Sequence, residues 1–492
     1  MKRIQIILGF VVLTVASLVG CHKDNMIEKI PFNEIPDMAF RNYLLVHFDT
    51  DMDGFISTHE AKEVKEIDLS DIREVVYSLK GIEYFTSLEK LNINGQERLE
   101  TFDLSQNLML EVLHCCRAAI FPGGALSGLN LDIAKNVNLR ELYCADSYMT
   151  VLDLSKNTAL EILDCNNNQL LGTLDLSRNK RLRIFNCSKT GLNLKSFPFN
   201  EFQYLEEFNG TDVPGSKDLS ISNLPLKILI CSDVQDLNIS NLPDLELMSI
   251  KCHSDGNHVL DVTKSTKLKY LTCEWVECSV DISNCTDLEE FTWISSRLID
   301  VSKNRALKYL YYAGSDETLD ISNNTALETL QFHNRLGKVL SFANNTSLKN
   351  VLIHMKDGEK YDFSNNVLIE NLYLQGWFKE DGNYYNIEYD IEKCLDISDL
   401  TILICDIEAL DVRRYSKLKN ILISGCENLS NINASGLQYL ESFQGNESNT
   451  SYSLVEADFS YCTNLKKLVL WNIKNLNLTG CTSLEGWSNY PR

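Results

Sequence analysis

Leu160-Glu161-Ile162-Leu163-Asp164-Cys165-Asn166-Asn167-Asn168-Gln169-Leu170, followed by Leu174-Asp175-Leu176-Ser177-Arg178-Asn179, is the stretch from which the fold is read. Its first half recurs as Leu110 to Cys115, Leu139 to Cys144, Leu226 to Cys231 and Leu268 to Cys273, and as Leu182 to Cys187 with Phe185 at the second leucine. Later copies carry Phe332, Ile353, Leu374, Ile423 or Leu470 in place of the cysteine. The second half recurs at Asp132, Asp153 and Asp175 and again at Asp261, Asp281, Asp300 and Asp320, at a period of about 21 residues. Self-similarity of this length predicts a repeat solenoid, a stack of coils around one elongated core. Each half-phrase alternates aliphatic with polar residues over a few positions. Two short parallel strands per coil follow, with a sheet along each side. About eighteen coils at the parallel-strand spacing make a rod on the order of 85 Å long.

The asparagines Asn157, Asn168, Asn179 and Asn324 fall where the chain turns inward. There an amide satisfies backbone groups of the next coil, as a buried turn requires. Cys285, Cys426, Cys462 and Cys481 are read as substitutes at the same turn, and most of the sixteen cysteines as core thiols rather than disulfides.

Composition bounds the function. The net charge of −22 repels phosphate backbones, so nucleic acid is not an expected partner. No H-E-x-x-H, no G-x-S-x-G and no phosphate-cradling glycine loop occurs, and Cys252-His253 with His258 lacks the spacing of familiar zinc sites. The chain reads as a binding protein, not an enzyme.

Two segments precede the repeats. Lys2 and Arg3, the apolar run Ile4 to Ala16, and Leu18-Val19-Gly20-Cys21 resemble a bacterial lipoprotein signal, with residues 1–20 removed and Cys21 lipidated. Acyl chains on Cys21 would be the sole membrane anchor. Residues 21–34 read as a tether and 35–78 as a helical cap.

Within that cap, Asp49-Thr50-Asp51-Met52-Asp53-Gly54-Phe55-Ile56-Ser57-Thr58-His59-Glu60 matches the EF-hand calcium loop at every diagnostic position. Asp49, Asp51 and Asp53 supply oxygens as the loop winds around the ion, and Gly54 permits the sharp turn. Phe55 offers its carbonyl, Ser57 sits where a water often mediates, and Glu60 closes the shell. A bound Ca²⁺ of structural kind is expected, rigidifying the cap.

The lipobox, one EF-hand-like loop, Gly81 to Leu91, and the coils from about residue 99 together resemble the leucine-rich-repeat lipoproteins of Bacteroidota-type bacteria. The coils near Phe197 to Gly210 and the step from Asp362 to Asp396 depart from the pattern. The resemblance implies a leucine-rich-repeat solenoid over 79–492 and a monomeric outer-membrane lipoprotein of the cell envelope, facing either the periplasm or the cell surface. It also implies adhesion to or binding of a protein partner, the alternative being a glycan-binding accessory of polysaccharide uptake. By analogy the L-x-x-L-x-C strand lines the recognition face. Residues alternating with its leucines point outward and grow aromatic along the chain: Tyr270, Tyr309, Tyr311, His333, His354 and Tyr373. A period-breaking insertion then carries Trp377, Tyr384 and Tyr385. These form the expected ligand face.

Overall fold

The computed structural model describes residues 28–490 apart from 101, 121–127, 195–196, 215–218, 233–237, 252–257, 275–277, 315–318, 334–339, 356–357, 359, 377–387, 427 and 446–453. The cap has two helices, α1 (Met38–Phe48) and α2 (Thr58–Glu63). Asp37 caps α1 by accepting the Phe40 N–H at 2.9 Å, and its other oxygen accepts the Tyr77 N–H at 2.7 Å. One carboxylate therefore starts the helix and ties it to the repeats. Ser57 and Glu60 close a reciprocal capping box on α2. Phe40 and Leu44 bury one face of α1 against the first coils.

Part of the expected tether is built into this cap. The Ile30 N–H donates to the Ile56 carbonyl at 2.8 Å, and Ile30 is buried. The sheet also begins before residue 79, because Glu66–Asp68 pairs in parallel with Lys90–Asn92.

From there a single sheet of twenty parallel strands runs the length of the molecule. At the usual spacing that is on the order of 90 Å. The second side is less regular than two strands per coil implies. Among the described residues it has three strand pairs and one four-stranded ladder, starting at Ser220–Ser222. Only about three residues alternate on that side, the shortest run that holds a strand, so small offsets between coils dissolve the ladder.

The buried turns explain the asparagines. Asn157 donates both amide hydrogens, to the carbonyls of Ile133 at 3.0 Å and Asn136 at 2.9 Å. Asn179 does the same toward Leu154 and Asn157, and Asn107, Asn136, Asn304, Asn324, Asn345 and Asn366 repeat the motif. Each amide thus reaches back to carbonyls of the coil before it. The amide oxygens of these eight side chains are buried without a partner. The site therefore selects donors, and an acceptor is dispensable. That accounts for its substitutes: Ser265 donates to Leu242, Cys285 to Val262, Cys394 to Phe363, Tyr415 to Ile391 and Cys462 to Ala434.

Asn168 and Cys426 do not belong to this turn. Both sit at the opposite end of the strand, three residues past the second inward side chain, where Asn168 accepts the Met149 N–H and donates to the carbonyls of Cys144 and Cys165. The residue before it takes a left-handed conformation (Gly95, Arg117, Asp146, Asn167, Lys189, Asp212), which makes the turn tight. The sequence shows an inward asparagine at both ends, and only the backbone separates them.

In the early coils the strands are short, three residues at Glu141–Tyr143, Ile162–Asp164 and Ile184–Asn186. In the middle coils the small inward thiols give way to Trp293, Tyr312 and Phe332, and strands lengthen to as many as six residues. Volume is compensated locally: Phe208 and Phe443 are each followed two residues on by Gly210 and Gly445, where a Cβ would lie 2.7 or 2.8 Å from the ring.

The residue just before each strand forms a second ladder, at the surface. From Glu111 it reads Arg140, Glu161, Arg183, Glu206, Lys227, Glu246, Lys269, Glu289, Lys308, Glu328, Lys349 and Glu370, with the sign alternating at every coil. Arg140 pairs with Glu161 at 2.9 Å, Lys227 with Glu206 at 2.9 Å and Lys308 with Glu289 at 2.7 Å. Exposed pairs of this kind contribute only about 0–1 kcal/mol each. Their order, however, penalises any pairing of a coil with its second neighbour, which would set like charges side by side.

The donor requirement makes a sharp prediction. Asn324→Ser should cost about 1–2 kcal/mol, whereas the isosteric Asn324→Asp should cost at least about 3, because it faces two carbonyls with no donor. Urea unfolding checks both, and the Asp penalty should shrink on acidification, when protonation restores one donor.

Candidate functional site

The acidic loop Asp49 to Glu60 is folded around its three aspartates. Asp49 accepts the N–H of Gly54 at 2.9 Å, Asp51 that of Asp53 at 3.1 Å, and Asp53 that of Phe55 at 2.9 Å. Gly54 takes φ +82°, the left-handed turn expected of it. One carboxylate oxygen from each aspartate lies within 4.8 Å of the others, and among the described residues this is the cluster of metal-ligating side chains.

Glu60 is not gathered with them. Its oxygens accept from the Thr50 N–H at 2.7 Å and hydroxyl at 2.8 Å, and from the Ser57 N–H at 2.9 Å and hydroxyl at 2.8 Å. Burial opposes its ionisation, but these four donors outweigh burial and hold its carboxyl down to about 2. Ser57 is occupied by the capping box, and Phe55 stacks on Phe32 at 4.6 Å. Lys29 lies 2.6 Å from Asp53 and offsets part of the loop's negative charge. Three of the expected ligands, the aspartates, thus converge, while the Ser57 and Glu60 side chains are engaged within the loop.

The outward face of the sheet is ordered in columns by the strand register. One column reads Tyr270, Glu290, Tyr309, Thr329, Asn350, Asn371, Asp399 and Asn420. The next reads Thr272, Thr292, Tyr311, Gln331, Leu352, Tyr373, Thr401 and Leu422. The lengthened strands add a third, with His333, His354 and Gln375. All six described residues of the expected ligand face point outward and are at least partly exposed. Trp377, Tyr384 and Tyr385 lie outside the described residues, as do Cys21, Cys252 and His253.

At the centre of these columns is an open depression of about 250 Å³, lined by Thr329, Gln331, Asn350, Leu352, Asn371 and Tyr373 and reaching Asp399 and Thr401. Of the expected residues that are described, Tyr373 lines it. Tyr309 and Tyr311 stand one coil before it. His333, tilted against Tyr311 at 4.7 Å and edge-on to His354 at 4.4 Å, flanks it in the third column. Tyr270 stands two coils before Tyr309, apart from the group. Burial lowers the His333 imidazole from its ordinary value, so it is neutral at pH 7, and burial raises the Tyr373 phenol.

The floor of the depression is a hydrogen-bonded amide ladder. Asn371 donates to the Asn350 side-chain oxygen at 2.6 Å, and Asn350 donates to the Thr329 hydroxyl at 3.2 Å. Asn420 donates to Asp399 at 2.7 Å beyond it. These residues share the outward column with Tyr309, so a column-by-column reading would have found them. A search by residue type for aromatics does not.

No protein-family model matches the sequence, and no curated protein does. Among solved structures the chain is similar to the functional domain of InlJ from Listeria monocytogenes, described as including a cysteine ladder. That match has TM-score 0.53 and 21% identity over 78% of this chain and 84% of that one. YopM from Yersinia enterocolitica aligns with TM-score 0.45 and 13% identity over 88% of this chain and 89% of its own. The plant peptide hormone receptor RGFR1, in complex with RGF2, aligns with TM-score 0.42 and 13% identity over 89% and 93%. Here the inward thiols Cys115, Cys144, Cys165 and Cys187 occupy successive coils, all buried, and no described cysteine is cross-linked. The twenty-strand parallel sheet, its repeating inward leucines and the likeness to InlJ make the fold a leucine-rich-repeat solenoid with a small helical cap.

Proposed function

We propose that this is a lipid-anchored binding protein of the bacterial cell envelope, held by Cys21 and recognising a protein partner on the outward face of its sheet. The observation that carries the reading is the depression over Thr329 to Thr401. In a chain of net charge −22 it is neutral apart from Asp399, and it combines an aromatic ring and a leucine with amide donors and acceptors. Such a mixture suits the buried centre of a protein interface, where charge is depleted and tyrosine is enriched. The regular rod supports it on rigid strands and leaves it open along the axis.

Glycan binding is the second reading, favoured by the hydroxyl and amide lining of Thr329, Gln331, Asn350 and Asn371. In either case Asp49, Asp51 and Asp53 would hold a calcium ion. The ion would neutralise the clustered carboxylates and fix the cap against the first coil, away from the ligand face.

Two outcomes are expected. With partners captured by the delipidated ectodomain and identified by mass spectrometry, Leu352→Asp and Tyr373→Ala should each weaken binding at least about tenfold, close to 1.4 kcal/mol. Ile184→Asp, on the same sheet in an earlier coil, should leave affinity unchanged. Equal affinity for all three would remove the depression as the site, and selective retention of an oligosaccharide on a glycan array would replace the protein partner by a sugar. Separately, calcium at a hundredfold excess over its Kd should raise the stability of the cap by about 2.7 kcal/mol. Asp49→Ala with Asp51→Ala should abolish that gain. Identical melting in calcium and in chelator would exclude the ion.

A further inference from the structure

Each coil has a rim, where it bends from the buried asparagine turn into its strand. In several coils the charges there are paired between neighbours: Lys267 meets Asp244 at 2.6 Å, Lys417 meets Asp396 at 2.6 Å and Arg414 meets Glu392 at 3.4 Å. Three consecutive coils near the cap differ. Ile133 to Arg140, Leu154 to Glu161 and Leu176 to Arg183 lead into the strands Glu141–Tyr143, Ile162–Asp164 and Ile184–Asn186, and they hold seven lysines and arginines against Glu161 alone. In a chain of net charge −22 this is a local reversal of sign.

Arg140 pairs with Glu161, Arg183 with Glu206 and Lys180 with Glu201. Among the described residues, no ion pair or hydrogen bond engages the side chains of Lys135, Lys156, Arg178 and Arg181. The first three each precede an asparagine of the turn. Asn157 donates to the Asn136 carbonyl and Asn179 to that of Asn157, which locks these turns in register. Three like charges therefore stack on coils about 4.8 Å apart, the arrangement that the alternating ladder beside them avoids. Asp132, Asp153 and Asp175 stand three residues earlier, each bent onto a backbone N–H, at Ala134, Ser155 and Ser177.

Aliphatic side chains border the cations. Leu108 and Met109 on the preceding coil and Val137 on the first of the three are 51%, 49% and 51% exposed. The Asn138 amide donates to the Leu108 carbonyl at 3.0 Å, so these rim positions are neighbours. The place that Leu108 and Val137 occupy holds threonine in other coils, at Thr158, Thr266, Thr286, Thr325 and Thr346.

We propose that this rim is a membrane-docking edge, which lies against an anionic lipid surface with its four unpaired cations at the headgroups and Leu108, Met109 and Val137 between them.

The proposal rests on the lipid anchor at Cys21 for bringing the bilayer within reach. Cys21 lies seven residues before Glu28, a span of at most about 25 Å. The patch begins three coils, about 14 Å, along the axis from the first strand. The composition favours lipid over protein. Lysine is depleted in the centre of protein interfaces, whereas at a bilayer the long basic side chains reach the phosphates while aliphatic neighbours enter the interface. The acidic remainder of the molecule is repelled by the same surface, so this edge is the flank that can lie down. An anchor alone would leave the rod free to swing. Anchor and edge together would fix its orientation, with the outward face of the sheet opening along the membrane.

The test is co-sedimentation of the full mature chain, made with Cys21→Ser so that it carries no lipid, with vesicles of phosphatidylcholine alone or with about one-third phosphatidylglycerol. Binding is expected to the anionic vesicles only, and to be lost in about 1 M salt, where the Debye length falls to about 3 Å. Lys135→Glu with Lys156→Glu and Arg178→Glu should weaken it at least about tenfold. Leu108→Ser with Met109→Ser should weaken it as well. Lys264→Glu with Lys303→Glu, which changes charge at the same turn of later coils, should not. Wild-type protein that ignores anionic vesicles, that binds both kinds equally, or that responds alike to the two sets of charge reversals would overturn the proposal. If vesicles are ignored while the triple reversal releases a captured protein, the patch belongs to that protein. The wild-type comparison decides the matter even if a variant fails to fold. The mass of the N-terminal peptide of the native protein reports on the anchor by itself: an unacylated Cys21 would remove the anchor and leave the vesicle result standing.

Discussion

A coil that turns inside its own stack leaves carbonyls with no backbone donor, and the architecture depends on supplying that donor once per coil. A buried carbonyl without a partner costs on the order of 1–3 kcal/mol, so a solenoid of this length would not close on hydrophobic burial alone. The asparagine at the turn solves the problem with two N–H groups aimed back along the axis, as Asn324 does toward Val301 and Asn304. Because the donor comes from the following coil, each coil is completed only by its neighbour. Repeats joined in this way stand or fall together, and the period of the sequence follows from the period of the requirement.

The same constraint explains why so much of the architecture is legible in the sequence. Leucines at the inward positions and a donor at the turn are enforced in nearly every coil, so Leu163, Cys165, Asn157 and Asn179 announce their places. What stays hidden is whatever depends on backbone conformation rather than residue type. Asn168 looks like Asn157 in sequence, yet it caps the opposite turn, where the left-handed Asn167 sets the geometry. The candidate binding surface was half legible for a similar reason. Alternation with the leucines identified Tyr309, Tyr311 and Tyr373 as outward, but the depression is lined by Thr329, Asn350 and Asn371, whose types carry no motif. Likewise the acidic phrase identified Asp49, Asp51 and Asp53, while the diversion of Glu60 to Thr50 and Ser57 could only be seen in three dimensions.

Structural and variable positions are divided cleanly across each strand. Inward side chains are fixed by volume, turn residues by hydrogen bonding, and the residue before the strand by the alternation of charge. The two outward positions, joined by a third in the lengthened strands, are released from all three demands. The widening of the core at Trp293, Tyr312 and Phe332 therefore has a consequence at the surface, because longer strands add the column that holds His333 and His354. A change in packing inside the rod enlarges the area available outside it.

The coil around Asp399 is where these demands relax together. It follows the break in period, lacks the alternating charge, strains its backbone at Ile404 and sets Asp399, the one charge bordering the depression, at its far edge. Irregularity at a single coil could be drift. Here, however, the coil is held locally: Asn420 and Ser398 donate to Asp399, and Lys417 and Arg414 of the next coil pair with Asp396 and Glu392. Strain that is compensated in place marks a coil kept in its geometry despite the cost, and the neighbour that benefits from that rigidity is the depression itself.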